Sequence, residues 1–199
     1  MDAAADYTDV RRALANANLP AYVSYVVRSR AGFDAVQADD TTTIVVRTRD
    51  GKVVAGKPPK INIESGGDAY GNDVVQHGPF KPECYAAKSA TLTTFEAQPV
   101  EAIALEALCH EKHVGEHSGD ADFSILYADP ATHRPIAVLG QNDEQFVTAR
   151  LDERFAVTGG FVMPTRFTVK IVGSGPMFWL NVDAAQSYSN YRFLSQAPD

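Results

Sequence analysis

After Pro20 the hydrophobic period of this chain changes from 3.6 to 2, and that switch constrains the fold more than any other feature. Before Pro20, Val10, Ala13, Leu14 and Ala17 fall on one face at helical spacing. They predict a helix from Asp6 to Asn18, capped by Asp6 or Thr8 and ended by the proline. After it, Val23, Tyr25 and Val27 alternate with Ser24, Val26 and Arg28. Thr41 to Arg49 is rich in β-branched residues, and Asp50-Gly51 then predicts a two-residue hairpin loop. Strand character returns at Ala90–Phe95 and at Val100–Cys109, where Ile103, Leu105, Ala107 and Cys109 share a face. It continues through Phe123, Ile125 and Tyr127, then Ile136–Leu139, Phe146–Leu151, Phe155–Val157, Phe161–Val172, Met177–Val182 and Tyr188–Phe193. The pattern predicts a mainly β (α+β) fold. Its sheet is curved and antiparallel, with about eight or more strands, and the N-terminal helix packs on one face.

The segment at 56–82 breaks the pattern. Pro58, Pro59, Gly66, Gly67, Gly71, Gly78, Pro79 and Pro82 punctuate it, and only Ile61 to Ile63 suggests a short strand. It reads as a long irregular insertion in a single domain spanning 1–199, with no internal repeat or linker. The 45% hydrophobic content supports a substantial core. A net charge of −7 disfavours nucleic acid as a partner, because phosphate binding needs basic patches. No apolar run approaches the roughly 20 residues of a transmembrane helix. Met1-Asp2-Ala3-Ala4-Ala5-Asp6 is not a signal peptide, which fits a cytosolic protein or a mature exported one whose leader was replaced by Met1. Cys84 and Cys109 would pair in an oxidising compartment and stay as buried thiols in a reducing one.

Catalytic motifs are missing. No serine sits in a Gly-x-Ser-x-Gly elbow, and Gly173-Ser174-Gly175 opens no helix, so it reads as a hairpin turn. Asp39-Asp40 and Asp143-Glu144 read as solvated turn carboxylates. His110, His113 and His117 lie within eight residues, with Glu111 and Glu116 between them. Gly115 and Ser118-Gly119 interrupt any shared strand face, so the cluster reads as a polar hairpin tip and not a metal site. The expectation is a protein that is not an enzyme and uses neither metal nor cofactor. The alternative carriers of function are Phe123, Ile125, Tyr127, Val138, Phe146, Phe167, Val169, Phe178 and Leu180. Their strands could line a concave face open to an apolar ligand, with ordinary core packing as the competing role.

At these residues the chain resembles a known family. The stretch from Phe123 through Asp129-Pro130-Ala131-Thr132 to Val138 resembles the strand, D-P-x-T turn and strand of the outer-membrane lipoprotein carriers, the lipoprotein-localisation-factor-like proteins. Gly159-Gly160-Phe161-Val162-Met163-Pro164 resembles their G-x-x-x-P turn into a long strand, and Tyr188–Phe193 is similar to the closing strand of exported bacterial members. The resemblance covers roughly residues 120 to 194. It implies an unclosed antiparallel β-barrel plugged by helices in the periplasm or another exported location. It also implies a binding protein for a hydrophobic or lipid-like ligand. A structural or interaction subunit with another envelope protein as partner is the alternative. The 56–82 segment and the missing central lid helices depart from the family pattern.

Overall fold

The computed structural model describes residues 2–33, 36–59, 80–109, 122–144, 147–175 and 178–198. Among the described residues, helix α1 spans Ala3–Leu14 and is followed by ten strands. These are β1 (Tyr22–Phe33), β2 (Val36–Arg47), β3 (Val53–Ala55), β4 (Tyr85–Phe95), β5 (Gln98–Ala107) and β6 (Phe123–Ala128). They continue as β7 (Pro135–Glu144), β8 (Val147–Thr158), β9 (Phe161–Gly175) and β10 (Phe178–Leu194). All pair antiparallel in one unclosed sheet of order β3-β2-β1-β10-β9-β8-β7-β6-β5-β4. The chain thus runs as a meander from β4 to β10, and β10 returns beside β1. Register shifts place extra residues in β3, β4, β6, β7, β9 and β10, bulges that bend and coil a sheet around what it covers. What it covers is α1, which packs against β4, β7 and β9.

The helix starts earlier than its periodicity suggests. Asp2 caps it by accepting from the Ala4 and Ala5 amides at 3.1 and 3.3 Å, which places the first helical residue, Ala3, three residues before Asp6. It ends at Leu14 because Asn16 and Asn18 take left-handed backbone at φ 45° and 77°. Its buried face is Tyr7, Val10 and Leu14, and the Tyr7 hydroxyl donates to the Pro82 carbonyl at 2.8 Å.

Two turns differ from expectation. Asp50-Gly51 is not a two-residue loop: β2 stops at Arg47, the turn occupies 48–51, and Asp50 binds the Lys52 amide and Arg47. Gly173-Ser174-Gly175 is not a turn but the end of β9, paired with Leu180, Trp179 and Phe178. The expected turn at Gly159-Gly160 is a two-residue hairpin loop, since Thr158 pairs with Phe161. Both glycines have positive φ, and a Cβ on Gly159 would lie 2.5 Å from the Phe193 ring. Pro164 sits inside β9 next to that strand's own bulge at Thr165, where it owes no amide to β10, and its carbonyl accepts from the Tyr191 hydroxyl at 2.6 Å.

Cys84 and Cys109 form a disulfide, with Cα atoms 4.9 Å apart. It ties a single 3-10 turn, Pro82–Cys84, to the end of β5. The supposed strand at 61–63 and the histidines at 110, 113 and 117 lie outside the described residues.

Candidate functional site

The concave face can be read as a row running straight across the sheet. Ser29, Gln186, Phe167, Glu153, Val138, Leu126, Ile103 and Ala90 oppose one another on eight successive strands. The next row holds Ala31, Ala184, Val169, Leu151, Gly140 and Phe123. Apolar residues dominate both rows, and small ones recur in the second. The face is thus mostly apolar, most of the side chains in these rows are buried, and α1 packs beside it against β4, β7 and β9.

Of the residues expected on this face, Phe123, Val138, Phe167 and Val169 lie there, each buried in one apolar cluster. Ile125 and Tyr127 do not share it with Phe123. A bulge between Phe123 and Ile125 reverses the phase, so Leu126 and Ala128 turn inward instead. Tyr127 lies on the outer face, stacked on Phe95 with ring centroids 4.1 Å apart. The Arg154 guanidinium sits 4.8 Å over the other ring of that pair, held by Asp152 and Glu96. Phe146 is outside the described residues. The backbones of Phe178 and Leu180 pair with Gly175 and Gly173.

The end of the 56–82 segment is not a surface excursion. Phe80 is fully buried, with its ring 5.1 Å from Tyr85 and 5.5 Å from Phe123. Its amide donates to Glu153 Oε2 at 2.8 Å across the concave face. The Gln186 side chain donates to Ser29 Oγ at 3.1 Å and accepts from the Tyr188 hydroxyl at 2.9 Å. Burial holds the Tyr191 phenol far above its ordinary pKa, with Tyr25 and Glu153 adding to the shift.

Sequence reasoning missed a polar constellation at the other end of the face. Glu101 of β5 is 3% exposed, although it occupies an inward position. Asp6 of α1 and His133 of the β6–β7 turn approach it, and one donor atom from each lies within 4.8 Å of the others. His133 Nδ1 stands 3.4 Å from Glu101 Oε2. Burial, and then the neighbouring Asp6 carboxyl, raise the Glu101 pKa, while His133 pulls it down. The signal in the sequence was phase: Glu101 interrupts the apolar series of Ile103, Leu105 and Ala107.

The outer face carries charge. Asp39 lies within β2, not in a turn, and binds Arg28 at 2.7 Å and Arg30 at 3.1 Å. A polar groove of about 450 Å³ runs between Arg30, Asp39, Arg166 and Asp183, and Thr148, Arg150, Lys170 and Val172 line another of about 300 Å³. Exposed ion pairs of this kind contribute little to stability.

No protein-family model matches the chain, and no curated protein matches it in sequence. Solved structures match it in shape. A LolA superfamily protein from Nitrosomonas europaea, NE2245, aligns with a TM-score of 0.50 at 9% identity, over 100% of this chain and 96% of that one. A domain from Vibrio parahaemolyticus described as an outer membrane lipoprotein-sorting protein aligns with a TM-score of 0.50 at 13% identity, over 98% and 93%. At such identities the likeness is one of fold, and this chain has the LolA-like fold: a single unclosed antiparallel sheet curved around a helix.

Proposed function

We propose that this protein is a non-catalytic binding protein of the bacterial cell envelope. It holds a hydrophobic or lipid-like ligand on the concave face of its sheet. The observation that carries this reading is the apolar inward row of Phe167, Val169 and Ile171, faced across the sheet by small side chains at Ala149 and Ala184. These side chains are only 2–5% exposed, so an apolar chain reaches them by displacing what covers them, and it gains roughly 25 cal/mol per Å² of its own apolar area taken out of water before the costs of binding. The Cys84–Cys109 disulfide supports an oxidising compartment such as the periplasm. No described helix is long and apolar enough to cross a membrane. The shared fold with a protein described as lipoprotein-sorting supports the same reading.

The test is titration with a fluorescent fatty acid, with Ala184→Trp adding bulk to this face. Saturable binding that weakens at least tenfold in the variant, at unchanged circular dichroism, is the expected result. Equal affinity in both proteins would place the ligand elsewhere. No saturable binding to wild type would remove the reading.

A second reading, an interaction subunit of an envelope assembly, is favoured by β4. It ends the sheet, and Thr91, Leu92, Thr93 and Thr94 along it are all exposed, Leu92 at 65%. A partner strand could extend the sheet at that edge. Co-purification of a stoichiometric protein from the native host, in place of a lipid, would favour it.

A further inference from the structure

We propose that Asp6, Glu101 and His133 form a binding site for one divalent transition-metal ion of the zinc or manganese class, which fastens helix α1 to the sheet. Three elements distant in sequence converge on this point. Asp6 comes from the first turns of α1, Glu101 from the interior strand β5, and His133 from the turn between β6 and β7. Glu101 is almost wholly buried, and its Oε2 makes no hydrogen bond. Asp6 Oδ2 and His133 Nδ1 are likewise buried without a hydrogen-bond partner. Buried polar atoms are rarely left so, and two carboxylates held together away from water repel each other.

A bound dication resolves both problems. It balances the two carboxylates together. Donors bound tetrahedrally at about 2.0–2.2 Å stand about 3.4 Å apart, the separation already present between His133 Nδ1 and Glu101 Oε2. That pair forms no hydrogen bond, yet it is well spaced to flank a common ion. Two carboxylate oxygens and one imidazole nitrogen suit zinc or manganese better than calcium, which takes oxygen ligands only. The His133 side chain is 29% exposed, which leaves an entry path and an open position for water.

The histidine is held in place by its turn. Asp129 Oδ1 accepts from the Ala131 and Thr132 amides and from the Thr132 hydroxyl, at 2.8–3.0 Å. The His133 amide donates to the Asp129 carbonyl at 2.8 Å, with His133 itself at φ 53°. The Asp129-Pro130-Ala131-Thr132 sequence therefore fixes the residue that faces Glu101.

The experiment uses the full chain, stripped with EDTA and titrated with Zn²⁺ by calorimetry. A parallel Co²⁺ titration is read by its visible d–d absorption. A His110→Gln/His113→Gln/His117→Gln variant removes the competing histidines. One equivalent should bind wild type and this triple variant alike. Glu101→Gln, His133→Gln and Asp6→Asn should each weaken binding at least tenfold. Melting should rise by about 5–10 °C at a hundredfold excess of Zn²⁺ over Kd in wild type, but not in Glu101→Gln. Asp6→Asn, a near-isosteric change at a half-buried helix position, guards against a Glu101 variant that fails to fold. The proposal is overturned if no equivalent binds, if the triple variant abolishes binding, or if folded Glu101→Gln and Asp6→Asn bind as wild type does.

Discussion

Polar residues in the inward phase of a strand are the residues that most distinguish this molecule from a plain apolar sheet. Glu101, Glu153 and Gln186 each occupy such a position, at 3%, 0% and 0% exposure. A buried polar group is costly unless a partner meets it, so each fixes something else in place. Glu153 fixes the Phe80 amide, and Gln186 joins Ser29 to Tyr188. Gln186→Leu should therefore cost about 1–3 kcal/mol in urea unfolding, with part of the loss regained when Ser29→Ala and Tyr188→Phe are added. If the triple variant is less stable than Gln186→Leu alone, the network account is wrong. Asp129 gives a pH-dependent counterpart. Thr132, by hydroxyl and then amide, holds its carboxyl below the ordinary 3.8, with burial opposing and the Ala131 amide assisting. The folded state thus binds the proton less readily than the unfolded chain. This turn's contribution is full above pH 3.8 and is lost as the pH falls through the depressed folded value. Comparing wild type with Asp129→Ala by thermal melts should show a gap of about 1 kcal/mol near neutrality, similar to a lost helix cap, closing in acid.

At the scale of elements, α1, the Pro82–Cys84 turn and the disulfide form one connected plug. Tyr7 bonds the Pro82 carbonyl, and Cys84 is bridged to Cys109 across a separation of 25 residues. Burial, the first cause, drives the Tyr7 phenol well above its usual pKa, so the bond persists at any ordinary pH. Closing a loop of this length stabilises by about 3 kcal/mol through the unfolded chain. Cys84→Ser/Cys109→Ser should lose about that much, and dithiothreitol should produce the same fall in wild type. A negligible change on reduction would refute this. Phe80→Ala should cost about 3–5 kcal/mol, because the ring packs between Tyr85 and Phe123 with no room to collapse cheaply. The helix, the antiparallel pairing and the short Gly159-Gly160 hairpin were legible from period and turn chemistry. The cap at Asp2, the bulge after Phe123 and the burial of Phe80 were not. Each depends on a backbone geometry or a distant partner that local pattern does not encode.

For the whole molecule, the governing fact is that the sheet bends around a helix but does not close. β3 and β4 are its two ends, and β4 is long and rich in exposed β-branched residues. Unpaired edges of this kind invite pairing with another strand. Leu92→Lys should leave the melting temperature nearly unchanged, since the residue is 65% exposed, while reducing any self-association seen by light scattering at high concentration. Unchanged association would mean that this edge is not the sticky surface. Because every strand is hydrogen bonded into one sheet, calorimetry should give one unfolding transition with equal calorimetric and van't Hoff enthalpies. Two resolved transitions would contradict the expectation of a single domain.

The sequence by itself determined the fold class, because a period of two over most of the chain admits little besides an antiparallel sheet, and a single amphipathic helix has only that sheet to bury its face against. It also marked the Asp129-Pro130-Ala131-Thr132 turn and the glycine hairpin, whose residues dictate their own backbone. Only the tertiary structure decided which residues meet. Ile125 and Tyr127 left the inner face through one extra residue in β6, which no hydrophobic count reveals. Asp6, Glu101 and His133 came together from positions more than a hundred residues apart at their extremes, because the sheet curves around α1, which packs against β4, β7 and β9. Alternation is a property of neighbours along the chain, whereas a site is a property of neighbours in space, and curvature sets the relation between the two.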